Sequence, residues 1–66
     1  MRGKVLYFAD QKGWGFIKRE DGQENAFVHK TDLIFEGIKT LRTGDAVEFD
    51  VREDTKGPRA INVQRI

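Results

Sequence analysis

Glycine-centred breaks cut this chain into runs too short for a helical layer, and they constrain the fold more than any other feature. The breaks fall at Lys12-Gly13, Asp21-Gly22, Thr43-Gly44-Asp45 and Lys56-Gly57-Pro58. Between them lie runs rich in Val, Ile and aromatic residues, at Lys4 to Ala9, Trp14 to Arg19, Asn25 to His29, Ala46 to Arg52 and Arg59 to Gln64. Such residues suit the pleated, half-buried surface of a strand, whereas Gly beside Asp or Pro supplies turn backbone. No segment sustains an apolar period near 3.6 residues, so the pattern predicts an all-β domain of five strands. The longest gap, Lys30 to Asp45, contains Thr31-Asp32-Leu33, which suits one helical turn ahead of a surface loop. Laid flat, five short strands would leave unpaired edges, and closure into a barrel removes them.

Sixty-six residues with 38% hydrophobic side chains support one core, hence a single domain over residues 1–66. A domain this small buries only ~60% of the surface its unfolded chain exposes, so nothing in it is stable by a wide margin. With no Cys and one His, neither a disulfide framework nor a Cys/His zinc centre can be built. Serine is absent too, which removes the usual hydroxyl and thiol nucleophiles and leaves His29 without a catalytic partner. A non-enzymatic role without cofactor or metal is the expectation. No window of 18 apolar residues exists, which predicts a soluble, cytoplasmic protein with no membrane partner.

Charge nearly cancels, with 12 basic against 11 acidic residues, but its distribution is uneven. Residues 1–19 carry five Lys or Arg and one Asp, net +4, and residues 56–66 carry Lys56, Arg59 and Arg65 with no acid, net +3. The intervening segment has four basic and ten acidic side chains, net −6. If the two ends lie side by side, they form one positive face on a nearly neutral protein. The alternative is that mixed surface charge only keeps the domain soluble.

Asp-Gly between two alternating runs is a strong hairpin signal, and a two-residue loop fixes register. With Asp21 and Gly22 as the loop, Glu20 faces Gln23, followed by Lys18 with Asn25, Ile17 with Ala26, Phe16 with Phe27, Gly15 with Val28 and Trp14 with His29. One face then carries Trp14, Phe16, Lys18, Asn25, Phe27 and His29, and the other carries Gly15, Ile17, Ala26 and Val28. Two readings fit. Cross-strand aromatic pairs stabilise sheets, so the rings could be the core. The interior of a five-stranded barrel is narrow, however, and Ile17 and Val28 fill it better than large rings with Lys and Asn among them. Val47, Phe49 and Val51, with Ile61, Val63, Val5 and Leu33, already supply a core, so the rings are expected to face solvent. A contiguous exposed aromatic patch beside Lys12, Lys18 and His29 suits unpaired nucleobases, which stack on rings while lysines neutralise phosphates.

Lys12-Gly13-Trp14-Gly15-Phe16-Ile17 resembles the first ribonucleoprotein motif of the cold-shock domain family, with Trp in place of the first Phe, and Ala26-Phe27-Val28-His29 resembles the second. Further matches are Gly3-Lys4-Val5, Gly37 with Lys39-Thr40-Leu41, and Gly57-Pro58 with Ala60 and Asn62-Val63, so the similarity runs from end to end. The resemblance implies a five-stranded antiparallel oligonucleotide-binding (OB-fold) barrel that holds single-stranded DNA or RNA with low sequence preference, often as an RNA chaperone. By position it implies that Trp14, Phe16, Phe27 and His29 stack or pack against bases, with Tyr7 and Phe8 flanking them. Lys12 would meet phosphate, Lys4, Lys18, Lys56 and Arg59 would contribute more loosely, and Pro58 would offer a flat apolar edge.

Four positions depart from the family pattern and make this an atypical member. Lys30 stands where an aromatic usually follows the His, Ile38 where a loop Phe is usual, Tyr7 where a Trp is usual and Leu6 where a Lys is usual. Two missing rings would cost ~2–6 kcal/mol if stacking contributions of ~1–3 kcal/mol simply added. Lys30 substitutes an ionic contact for a stacking one, which predicts binding more sensitive to salt, and Phe35 could swing in for the missing loop ring. A protein-binding adaptor using Trp14, Phe16 and Phe27 as an apolar hot spot is the alternative function class. The expected state is a monomer, with a strand-exchanged dimer as the other option.

Overall fold

The computed structural model describes residues 1–66 and contains five strands. They are β1 (Arg2–Ala9), β2 (Trp14–Arg19), β3 (Ala26–His29), β4 (Ala46–Asp54) and β5 (Gly57–Arg65), with one 3-10 turn at Lys30–Asp32. The strands close into a barrel in the order β1-β2-β3-β5-β4. Four seams are antiparallel and the β3–β5 seam is parallel. A ring of five strands cannot alternate direction all the way round, so one parallel seam is a geometric necessity. β1 and β5 lie on either side of β4 rather than side by side, so the two basic ends of the sequence do not pair as strands.

Inward positions follow the two-residue alternation of each strand. Val5, Ile17, Ala26, Val28, Val47, Phe49, Ala60 and Val63 are buried together with Leu33 and Leu41 from the long loop, and Phe8, Phe35 and Val51 pack against them. Two bulges adjust that alternation. In β1, Val5 faces Ile17 but Tyr7 faces Phe16, so Leu6 is an extra residue. Strict alternation would put Val5 and Tyr7 on one face; the bulge sends Val5 inward and Tyr7 outward. In β5, Gln64 faces Glu48 while Ile61 faces Asp50, and Asn62 in the bulge has φ 52°. This bulge brings Ala60 and Val63 inward together and leaves Ile61, expected in the core, only partly buried.

The β2–β3 register matches the sequence expectation at Trp14–His29, Gly15–Val28, Phe16–Phe27 and Ile17–Ala26. The turn beyond it is wider than expected. The ladder stops at Ile17–Ala26, Gly22 N–H donates to the Arg19 carbonyl at 3.3 Å, and Asp21 Oδ1 accepts from Gln23 N–H at 3.0 Å. Arg19 grips the same carboxylate through Nε (3.1 Å) and Nη2 (2.7 Å). These hydrogen bonds, that of Arg19 first and Gln23 N–H second, hold the Asp21 carboxyl below its ordinary 3.8. A lowered folded pKa means that this contribution to stability is complete above the ordinary aspartate value and is lost as pH falls through the lowered one. In a carboxyl NMR titration Asp21 is expected to titrate below 3.8, and Arg19→Gln to bring it back towards that value; a wild-type midpoint at or above 3.8 would show the clasp to be absent in solution.

Candidate nucleic-acid interface

The outer face of β1, β2 and β3 is built by cross-strand pairs. Lys4 faces Lys18, Tyr7 faces Phe16 and Ala9 faces Trp14 between β1 and β2, while Phe16 faces Phe27 and Trp14 faces His29 between β2 and β3. Tyr7, Trp14, Phe16 and Phe27 form one contact network. Phe16 lies 5.8 Å from Phe27 and 6.0 Å from Trp14 between ring centroids, both edge-on, and Trp14 and Phe27 are near-parallel at 6.2 Å. Tyr7 meets Trp14 and Phe16, each at 5.9 Å. Trp14, Phe16 and Phe27 are half-buried, Tyr7 is 43% exposed, and none of the four belongs to the core. The rings brace each other from the sides and keep parts of their faces open to solvent.

Gly15 permits the close approach of β1 and β2 beneath this face. A Cβ there would lie 2.1 Å from the Tyr7 carbonyl oxygen and 2.7 Å from Phe8 Cα. Phe8, expected to flank the rings, faces Gly15 and packs against the core instead. It lies one residue past Tyr7, and alternation turns it inward.

Cations divide by residue type. The four ion pairs, Arg2–Glu48, Arg19–Asp21, Arg59–Asp32 and Arg65–Asp45, all use arginine, and no lysine is paired. Lys4 and Lys18 stand opposite each other at one end of the face, a like-charge pairing that an intervening anion would relieve. At the other end Lys12 lines a shallow groove with Tyr7 and Trp14. The stem of Lys30 lies over Gly13, whose added Cβ would come within 3.0 Å of Lys30 Cδ. Lys56 lines a further groove with Phe16 and Phe27. Five unpaired lysines thus border four rings.

His29 is half-buried at the edge of the cluster, and its Nδ1 accepts from Thr31 N–H at 3.2 Å. That bond leaves Nε2 to carry the ring proton. Two other candidates differ from expectation. Pro58 is buried, so it forms part of the wall of the Phe16–Phe27 groove rather than a projecting edge. Arg59 is no loose cation: it faces Phe27 across the β3–β5 seam and is bound to Asp32. Phe35 does not replace a loop ring, because it packs on the core with the Arg65 guanidinium 4.3 Å from its centroid, and Ile38 is 80% exposed. Arg52 faces Arg59 on the same outer surface, a placement that local sequence pattern does not reveal because it cannot order strands around a barrel. No three His, Cys, Asp or Glu side chains converge as a metal-ligand set, and no helix is long and apolar enough to cross a membrane. The arrangement offers partly open π-faces ringed by unpaired positive charge, which suits an anionic polymer with planar groups.

Comparisons with known proteins point the same way. The model of the "Cold-shock" DNA-binding domain family matches residues 1–66. A cold shock-like protein of Aquifex aeolicus is 60% identical over 63 residues, covering 96% of this chain and 90% of that protein. Another, from Thermotoga maritima, is 47% identical over 64 residues, covering 97% and 96%. Among solved structures, "drosophila Unr CSD456" superposes with a TM-score of 0.81 at 23% identity over 98% of this chain, which spans 26% of that one, and this likeness supports the fold.

Proposed function

The chain belongs to the cold-shock domain family, and we propose that it binds single-stranded DNA or RNA with little sequence preference, stacking unpaired bases on Tyr7, Trp14, Phe16 and Phe27. The observation that carries this reading is the solvent-facing ring network bordered by Lys4, Lys12, Lys18, Lys30 and Lys56, none of them paired to an acid. Every base has a π-face, so stacking tolerates sequence, while flexible lysines follow a phosphate backbone without fixing register. Holding an open strand shifts weak RNA pairing by mass action, so a chaperone activity on RNA needs no nucleotide hydrolysis. A monomer is the matching state, supported by the closed barrel, in which every strand has a neighbour on both sides within the same chain.

The test is a titration of a short pyrimidine-rich oligonucleotide followed by Trp14 fluorescence at several salt concentrations. Quenching is expected, together with a slope of log K against log salt near −3.5 if all five lysines meet phosphates, at about −0.7 each for a single strand. Lys30→Gln is expected to reduce the magnitude of that slope by ~0.7. Unquenched fluorescence, or binding indifferent to salt, would overturn the reading. Salt-insensitive capture of a protein through the same rings would identify an adaptor instead.

A further inference from the structure

An acid at the border of a surface proposed to hold a polyanion needs an explanation, and Asp32, just past the end of β3, is such an acid. Its carboxylate is nearly buried and makes three contacts. Oδ2 accepts from His29 N–H at 3.1 Å and from Arg59 Nε at 3.1 Å, and Oδ1 accepts from Arg59 Nη2 at 3.2 Å. One side chain therefore ties the end of β3, where His29 sits, to the outer face of β5. Arg59 in turn faces Phe27 in the β3–β5 seam and lines a groove with Phe16 and Phe27.

We infer that Asp32 is a positioning residue of the proposed strand-binding face, holding the Arg59 guanidinium in one plane beside Phe27 so that it meets the bound strand as an oriented plate. The inference rests on the strand-binding reading above and deepens it. A bidentate carboxylate fixes the plane and rotation of a guanidinium, which a single charge contact would not. It occupies two of the five N–H donors, leaving three and the flat π-surface for a base or sugar. The cross-strand pairs then place Tyr7, Phe16, Phe27, Arg59 and Arg52 in one row over all five strands. Along that row the rings give way to a clamped guanidinium and then to an unpaired one.

Two consequences separate positioning from simple charge. Removing an acid from a polyanion site by charge logic alone tightens binding and steepens its salt dependence. If Asp32 orients Arg59, its removal weakens binding instead, because the arginine must then be ordered by the ligand. Oligonucleotide affinity and salt slope are to be measured for wild type, Asp32→Asn and Arg59→Lys, each shown to be folded by its thermal melt. Both variants are expected to lose about three- to tenfold in affinity, the range for ordering one long side chain on binding, with the salt slope unchanged. Arg59→Lys keeps the charge and lacks the fork, so it decides the matter even if Asp32→Asn unfolds. Tighter binding by Asp32→Asn with a slope steeper by ~0.7, or wild-type affinity for Arg59→Lys, overturns the inference while leaving the strand-binding reading intact. Failure of the wild type to bind overturns that reading itself, and this inference with it.

Discussion

Phe16→Ala and Phe27→Ala are each expected to weaken oligonucleotide binding by ~1–3 kcal/mol, about 5- to 150-fold, and the double variant to lose measurable binding while the barrel stays folded. The size follows from stacking lost per base. The survival of the fold follows from where the rings lie: both are outside the buried cluster that Ile17, Val28, Val47, Phe49 and Val63 form within the barrel. Because Phe16 contacts Trp14, Tyr7 and Phe27, its removal also loosens its neighbours, so the double variant is not expected to be the sum of the singles. Phe49→Ala is the control with the opposite signature. Phe49 is 2% exposed, and its truncation is expected to cost ~3–5 kcal/mol of folding stability. Thermal melts beside titrations separate the two classes; if the Phe16 and Phe27 variants melt as low as Phe49→Ala, the rings serve as core.

Gly15→Ala carries the other large effect, and it acts on the fold rather than on binding. The added methyl would sit 2.1 Å from the Tyr7 carbonyl oxygen and 2.7 Å from Phe8 Cα. These atoms are backbone, which cannot swing aside as a side chain can. β1 and β2 would have to separate at the pairs Phe8–Gly15 and Tyr7–Phe16, which carry two of the four rings. Overpacking a tight core site typically costs ~1–3 kcal/mol, and a clash with main chain lies at or beyond the upper end. Against a total stability of roughly 3–10 kcal/mol for a domain of this length, at least ~3 kcal/mol lowers Tm by ~12 °C or more. Calorimetry is expected to show that fall, and a Tm within a few degrees of wild type would mean that β1 and β2 leave room for a methyl group at position 15 in solution. Gly22→Ala is a useful contrast, since nothing lies within 4 Å of its added Cβ and only its positive φ of 74° opposes the change.

The β2–β3 hairpin was legible in the sequence because its alternation is uninterrupted: small and branched residues at 15, 17, 26 and 28 can face only a narrow interior. That pattern put Trp14, Phe16 and Phe27 outside, as the structure has them. It does not reach Phe8 or Ile61, whose sides differ from expectation because an extra residue changes the count. The bulge at Leu6 turns Tyr7 outward and Phe8 inward, and the bulge at Asn62 draws Ala60 inward in place of Ile61. Nothing local in Leu6 announces a bulge; it follows from the need of β1 to pair with β2 and β4 at once. The Arg59–Asp32 pair was illegible for a different reason: its partners are 27 residues apart and meet only through the parallel seam, which strand propensity cannot order. The resemblance placed Arg59 at the interface but could say nothing of what holds it.

On the proposed reading, the bound strand lies on the rings of β1 to β3. Aromatic and backbone NMR spectra recorded during titration with a single-stranded oligonucleotide test it most directly. Upfield shifts of the Tyr7, Trp14, Phe16 and Phe27 ring resonances are expected, with His29 and Arg59 also moving and Met1, Ile34 and Gln64 on the far groove unmoved. Shifts gathered on that far groove or around Ile38, with the four rings unchanged, would contradict that reading.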